Sequence, residues 1–166
     1  MSHWPTVVEL TRARLESSIL AARIATRADG ALAGFAGLAR ERNQGRAVRY
    51  LEYEAYEPLA LRQMASLADA CRRRWPEVHG VGLQHRLGRV ELGEASVLVA
   101  VAAEHRAPAL AACAFLIEAL KRGAAIWKKE FFAAGGADWL ANDAAAEPPA
   151  RPSMPLPSAR PPIVPL

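Results

Sequence analysis

Between His105 and Glu130 the chain gathers the side chains that could act on an anion. His105 and Arg106 precede an expected helix, Lys121 stands at its far end, and Trp127-Lys128-Lys129-Glu130 follows a short turn. Arg106 beside the free N–H donors of a helix start suits the holding of an anion, since both aim positive charge at one point. Lys121 falls on an otherwise apolar helical face, where partial loss of water would ready its ammonium to give up a proton. The same position equally fits an inert lysine whose stem lies on that face while its charge offsets the helix dipole. If the segment after Ala125 is extended, Lys128 and Glu130 share a face and Lys129 points away. An inward Lys128 beside Lys121 would concentrate positive potential. Alternatively, these charges solvate an edge strand.

A second basic segment, Arg40-Glu41-Arg42-Asn43-Gln44-Gly45-Arg46, reads as a polar loop. Its arginines have the planar fork that grips phosphate through two hydrogen bonds, although a solvated basic loop fits as well. Arg72-Arg73-Arg74 closes a helix, where a cationic run usually compensates the dipole at the surface. His79 and His85 have no third ligand at a metal-binding spacing, so no metal and no cofactor are expected. The chain has no Gly-x-Ser-x-Gly elbow, no P-loop and no Gly-x-Gly-x-x-Gly. Cys71 and Cys113 sit within apolar helical patterns, which marks them as buried packing thiols with little nucleophilic character.

The elements that must position these groups follow from periodicity. Residues from about Glu9 to Thr26 predict a helix, with Leu10, Ala13, Ser17, Leu20 and Ile24 on one face. Ala31 to Ala39 is small and apolar, as in a buried strand, and Val48 to Tyr56 alternates as a strand does. There Arg49, Leu51, Tyr53 and Ala55 point one way, and Val48, Tyr50, Glu52 and Glu54 the other. Pro58 suits the first turn of a second helix, with Leu61, Met64, Ala68, Cys71 and Trp75 on its apolar face, stopped near Pro76. Val81 to Leu87 and Ser96 to Ala103 read as strands joined through 88–94 in a hairpin. Pro108 opens a third helix reaching about Arg122, with Leu110, Ala114, Ile117 and Lys121 on one face. Ile126 to Phe132 reads as extended, and Trp139 is the last anchor. Interleaved helices and strands of this kind predict an α+β fold with a mainly antiparallel sheet.

The 166 residues, 52% hydrophobic and carrying a net charge of +4, suffice for one domain with a core. That modest charge suits an anionic ligand or acidic partner without requiring nucleic acid. No run is apolar enough to span a membrane, and Met1 to Pro5 lacks the features of a signal peptide, so a cytoplasmic place is expected. Eight of the twelve prolines lie between Pro148 and Pro165. The expected division is therefore a domain over residues 1–143 and a proline-rich tail, without a packed structure of its own, over 144–166.

Six pieces in order, Gly37-Leu38-Ala39-Arg40, Leu51-Glu52-Tyr53-Glu54-Ala55-Tyr56, His85-Arg86-Leu87-Gly88, His105-Arg106, Lys121 and Ile126-Trp127-Lys128-Lys129-Glu130, resemble the large subunit of molybdopterin synthase. The match runs from roughly Gly30 to Trp139. The resemblance implies a hammerhead-type α+β fold with three principal helices and a homodimer of such chains. It also implies a small ubiquitin-like sulfur-carrier subunit at each end, giving a heterotetramer. The small subunit's C-terminal Gly-Gly, carried as a thiocarboxylate, would deliver sulfur to cyclic pyranopterin monophosphate in a sulfurtransferase reaction. By the same resemblance Lys121 and Lys128 are catalytic, Arg40, His105 and Arg106 bind the substrate anion, and Leu38 and Ala39 line the pocket. Lys129 and Glu130 complete the substrate-binding motif. The chain departs from the pattern at Ala125, where proline is usual, and at Leu38, where a polar or basic residue is common.

Two other readings compete. A non-catalytic scaffold for the small subunit would be favoured had either lysine been lost, and both are present. A nucleic-acid-binding protein would need exposed aromatics interleaved with a continuous cationic face, whereas these aromatics mostly occupy core-like positions.

Overall fold

The computed structural model describes residues 4–140. The expected tail at 144–166 lies outside them. Two sheets and three helices make an α+β arrangement, antiparallel except for one pair of strands. The first sheet has the order β1 (Thr6–Thr11), β5 (Val78–Arg86), β7 (Ala95–Ala103), β2 (Ala31–Leu38). The second runs β3 (Arg42–Asn43), β4 (Arg46–Ala55), β8 (Ile126–Phe132), β9 (Ala137–Leu140), with β6 (Gly88–Glu91) also on β4. Among the described residues no helix is long and apolar enough to cross a membrane.

The run of apolar residues on β7 is continuous because both of its faces are covered. Val97, Val99, Val101 and Ala103 face the core beneath α2 (Glu57–Arg74) and α3 (Arg106–Gly123). Leu98, Ala100 and Ala102 face α1 (Ser17–Ile24) on the other side. Leu20 and Ile24 of α1 are fully buried there, each contributing roughly 1.5–3 kcal/mol. Gly80 permits this approach, since a Cβ at that place would lie 2.2 Å from the Ile24 carbonyl oxygen. A third core, built on Val48, Leu51, Tyr53, Val90, Ile126 and Phe132, belongs to the second sheet.

Five expectations need correction. Ala31–Leu38, expected as a buried strand, lies at the edge of its sheet with Ala33 its one buried residue, because no further strand covers that side among the described residues. The helix predicted from Glu9 begins only at Ser17, because Thr6–Thr11 is drawn into a parallel pairing with β5 that spacing within the segment could not reveal. The segment 88–94 does not simply close a hairpin between β5 and β7. Those strands do pair, but 88–91 leaves to pair with β4 and thereby ties the two sheets together. On α3 the buried residues are Ala109, Ala112, Cys113, Leu116, Ile117 and Leu120, while Leu110 is 63% exposed. The face was misjudged by about one residue because an alanine-rich helix gives a weak periodic signal. On β4 the expected alternation holds for Leu51 and Tyr53. A register shift between Val48 and Tyr50 turns Val48 to the buried side as well.

Candidate active site

A cavity of about 530 Å³ opens between the two sheets, against the C-terminal end of α3. Its apolar wall includes Leu51, Val97, Ile117 and Ile126, and its polar wall carries Arg40, Lys121, Lys128 and Glu130. Lys121 comes from the last turn of α3, where the cation also suits the helix dipole. Lys128 and Glu130 come from β8, whose alternation sends both to the cavity. Lys128 Nζ lies 3.2 Å from Glu130 Oε1, and the Glu130 side chain is only 4% exposed. With three cations and one carboxylate named on the wall, the lining favours an anion.

His85 reaches the same cavity from β5. Its ring is 7% exposed, lies edge-on to Tyr53 at 4.8 Å, and places Nδ1 2.9 Å from the Arg86 carbonyl oxygen. Because a carbonyl only accepts, Nδ1 carries the proton and donates. Burial pushes the imidazole pKa down to about 4, the backbone bond to Arg86 opposes this, and the charge of Lys121 adds to the lowering. His85 is thus neutral at physiological pH, with Nε2 unprotonated. Burial also raises the two thiols, Cys71 to about 11, so neither is a ready nucleophile. Among the described residues no group of three or more His, Cys, Asp or Glu side chains could hold a metal ion.

The site residues expected from the sequence fall into three groups. Lys121, Lys128, Glu130, Arg40 and Leu38 line the cavity together. Ala39 and Lys129 adjoin it without lining it. Ala39 is 3% exposed and is fixed through its backbone to Glu94 and Gly93, while Lys129 Nζ sits over the Phe131 and Trp139 rings at 5.1 and 5.4 Å. His105 and Arg106 are exposed at the opposite end of α3, fifteen residues before Lys121. At 1.5 Å of rise per residue that separation is about 22 Å, too far for one small molecule to touch both ends within one chain. Sequence reasoning assigned no role to Asn43, His85, Tyr53 or Phe35, all of which line the cavity. A signal existed for His85 and Tyr53, which stand within two of the matched motifs.

Fold and site together define an α+β protein with a lysine-bearing cavity between its two sheets. The family model for the MoaE protein matches residues 10–123. A molybdopterin synthase catalytic subunit from Nostoc is 44% identical over 113 residues, 68% of each chain. Molybdopterin synthase catalytic subunit 2 from Aedes aegypti is 39% identical over 137 residues, covering 81% of this chain and 88% of that one. The crystal structure of molybdopterin synthase from Staphylococcus aureus superposes with a TM-score of 0.73 at 31% identity, over 84% of this chain and 98% of that one. The chain belongs to the MoaE protein family.

Proposed function

We propose that this chain is the catalytic subunit of a molybdopterin synthase. It moves sulfur from the thiocarboxylated C-terminus of a small ubiquitin-like subunit to cyclic pyranopterin monophosphate, forming the dithiolene of molybdopterin. The observation that carries this reading is the convergence of Lys121 and Lys128, from a helix and a strand, on one anion-favouring cavity. Arg40, between β2 and β3, supplies a guanidinium for the substrate phosphate. The lysines stabilise negative charge as the thiocarboxylate attacks, the cyclic phosphate opens and oxygen leaves, and they give or take protons at those steps. Sulfur arrives on the partner, so the buried Cys71 and Cys113 have no part in the chemistry.

His105 and Arg106 enter this reading through a second copy of the chain. They stand at the far end of α3 from their own pocket, and a homodimer would present them to its partner's. The exposed Leu110 on the same helix and Leu32 on the edge strand β2, 54% exposed, offer apolar surface for that contact. One small subunit on each copy makes a heterotetramer, working in the cytoplasm.

Single-turnover formation of molybdopterin, with saturating thiocarboxylated small subunit, tests the assignment. Lys121→Ala and Lys128→Ala should each slow the reaction on the order of a hundredfold, about 3 kcal/mol of lost transition-state stabilisation. Lys121→Arg should not rescue, because a guanidinium keeps its proton near neutral pH. Lys129→Ala should react nearly as the parent does. If both cavity lysines can be removed at no cost in rate, the chain is a scaffold for the small subunit instead.

A further inference from the structure

Lys128 is held by more than its own strand. Arg40 Nη2 donates to Asn43 Oδ1 at 3.1 Å, and Asn43 Nδ2 donates toward the two Glu130 oxygens at 3.1 and 3.0 Å. Glu130 Oε1 in turn meets Lys128 Nζ at 3.2 Å. These four side chains form one line of contacts, from the connection after β2 through the β3–β4 hairpin to β8. The orientation of the amide follows from its neighbours. A carboxylate only accepts and a guanidinium only donates, so the NH2 must face Glu130 and the carbonyl must face Arg40.

The backbone of Asn43 is fixed as firmly. Asn43 pairs with Arg46 across a two-residue turn in which Gln44 has φ 48° and Gly45 φ 80°. Positive φ at both central residues is the hairpin turn whose twist matches that of the flanking strands. Asn43 therefore projects from a short rigid hairpin onto a carboxylate that is distant in sequence and almost wholly buried. A carboxylate so placed needs donors to offset its lost hydration. Asn43 reaches both oxygens, and Lys128 shares one of them, Oε1.

We propose that Asn43 is a positioning residue for Lys128. By holding both oxygens of Glu130 it sets the plane of the carboxylate, and that plane sets where the lysine ammonium stands on the cavity wall. Its other end ties Arg40 to the same frame, so the anion-binding guanidinium and the ammonium keep a constant separation. Without the amide, Glu130 can rotate about its last torsion and carry the ammonium with it. The inference rests on the assignment of Lys128 to the reaction centre, and its test separates the two.

The experiment is single-turnover product formation with saturating substrate and saturating thiocarboxylated small subunit. It compares the parent, Asn43→Ala, Lys128→Ala and the double variant, each with its thermal unfolding recorded. Asn43→Ala should slow the parent on the order of tenfold, while in the Lys128→Ala background it should cost less than about twofold, since the ammonium it positions is gone and saturating substrate offsets any weaker binding at Arg40. Equal factors in both backgrounds would mark Asn43 as merely structural and overturn the proposal, as would the absence of any effect in the parent. A parent-like rate for Lys128→Ala would overturn the assignment of Lys128 itself, whatever Asn43 does. Asn43→Asp, which keeps the acceptor for Arg40 but sets a carboxylate against Glu130, should be at least as slow as Asn43→Ala. A parent-like rate for that variant refutes the proposal even if Asn43→Ala does not fold.

Discussion

Lowering the pH from about 8 to about 5 protonates His85 in the unfolded chain but scarcely in the folded one, and the difference is lost as stability. The ordinary imidazole value of 6.5 falls to about 4 in the fold, chiefly through burial. A depressed value means that the unfolded chain takes up the proton first. The stabilisation is therefore complete above about 6.5, declines as the pH drops through the window between the two values, and is spent below about 4. The whole shift corresponds to about 3 kcal/mol, of which about 2 kcal/mol is gone at pH 5. For a domain of this size that lowers Tm by roughly 4–8 °C. Glu9 and Glu94 are held below the ordinary carboxylate value, Glu9 by bonds from Arg23 and Gln84 and Glu94 by the Glu91 N–H and Arg86, so their loss falls at lower pH. The control is His85→Asn, whose side-chain NH2 can still donate to the Arg86 carbonyl but does not titrate. Thermal unfolding of both proteins at the two pH values should show the extra acid sensitivity in the parent alone. Equal sensitivity in the two would refute the reasoning, because it would mean that His85 is not held neutral by its surroundings.

Two further outcomes are expected. Cys113→Ala should retain its single-turnover rate within about twofold and lose about 1 kcal/mol of stability, as small deletions from a core do; near-complete inactivation of a folded variant would contradict a partner-borne sulfur. Truncation after Asp143 should leave Tm nearly unchanged, because residues 147–166 lack the periodicity needed to join a core; a large drop in a melting experiment would show that the removed residues pack on the domain or across a dimer.

The elements legible in the sequence were those whose pattern is local and strong. The second helix had large anchors, Met64 and Cys71, at helical spacing and a proline in its first turn, and it lies where expected. The strands Ala31–Leu38 and Ile126–Phe132 lie where expected, but the first is an exposed edge strand and not the buried one that its small apolar residues suggested. What escaped depends on distant partners. Thr6–Thr11 becomes a strand because β5 offers it a parallel edge, and Gly88–Glu91 because β4 does. Neither partner is visible within a window of ten residues. The loop 40–46 hid its two-residue turn because Gln44, not the usual Asn or Asp, precedes the glycine there.

The site divides along the same line. Alternation on an extended segment was enough to place Lys128 and Glu130 together and Lys129 apart, and the side chains stand so. Lys121 could be put at a helix end, but that it shares a cavity with Lys128 follows from the packing of the two sheets, which brings the end of α3 and β8 to the same cavity. Asn43 was invisible as a site residue for a sharper reason. Its value lies wholly in contacts with Arg40 on one side and Glu130 on the other, and only the hairpin brings those two within reach of one amide. A motif records which side chains a chain carries. The register between β3, β4 and β8 decides which of them hold one another in place, and in this pocket the lysine's position is set by an asparagine 85 residues earlier in the chain.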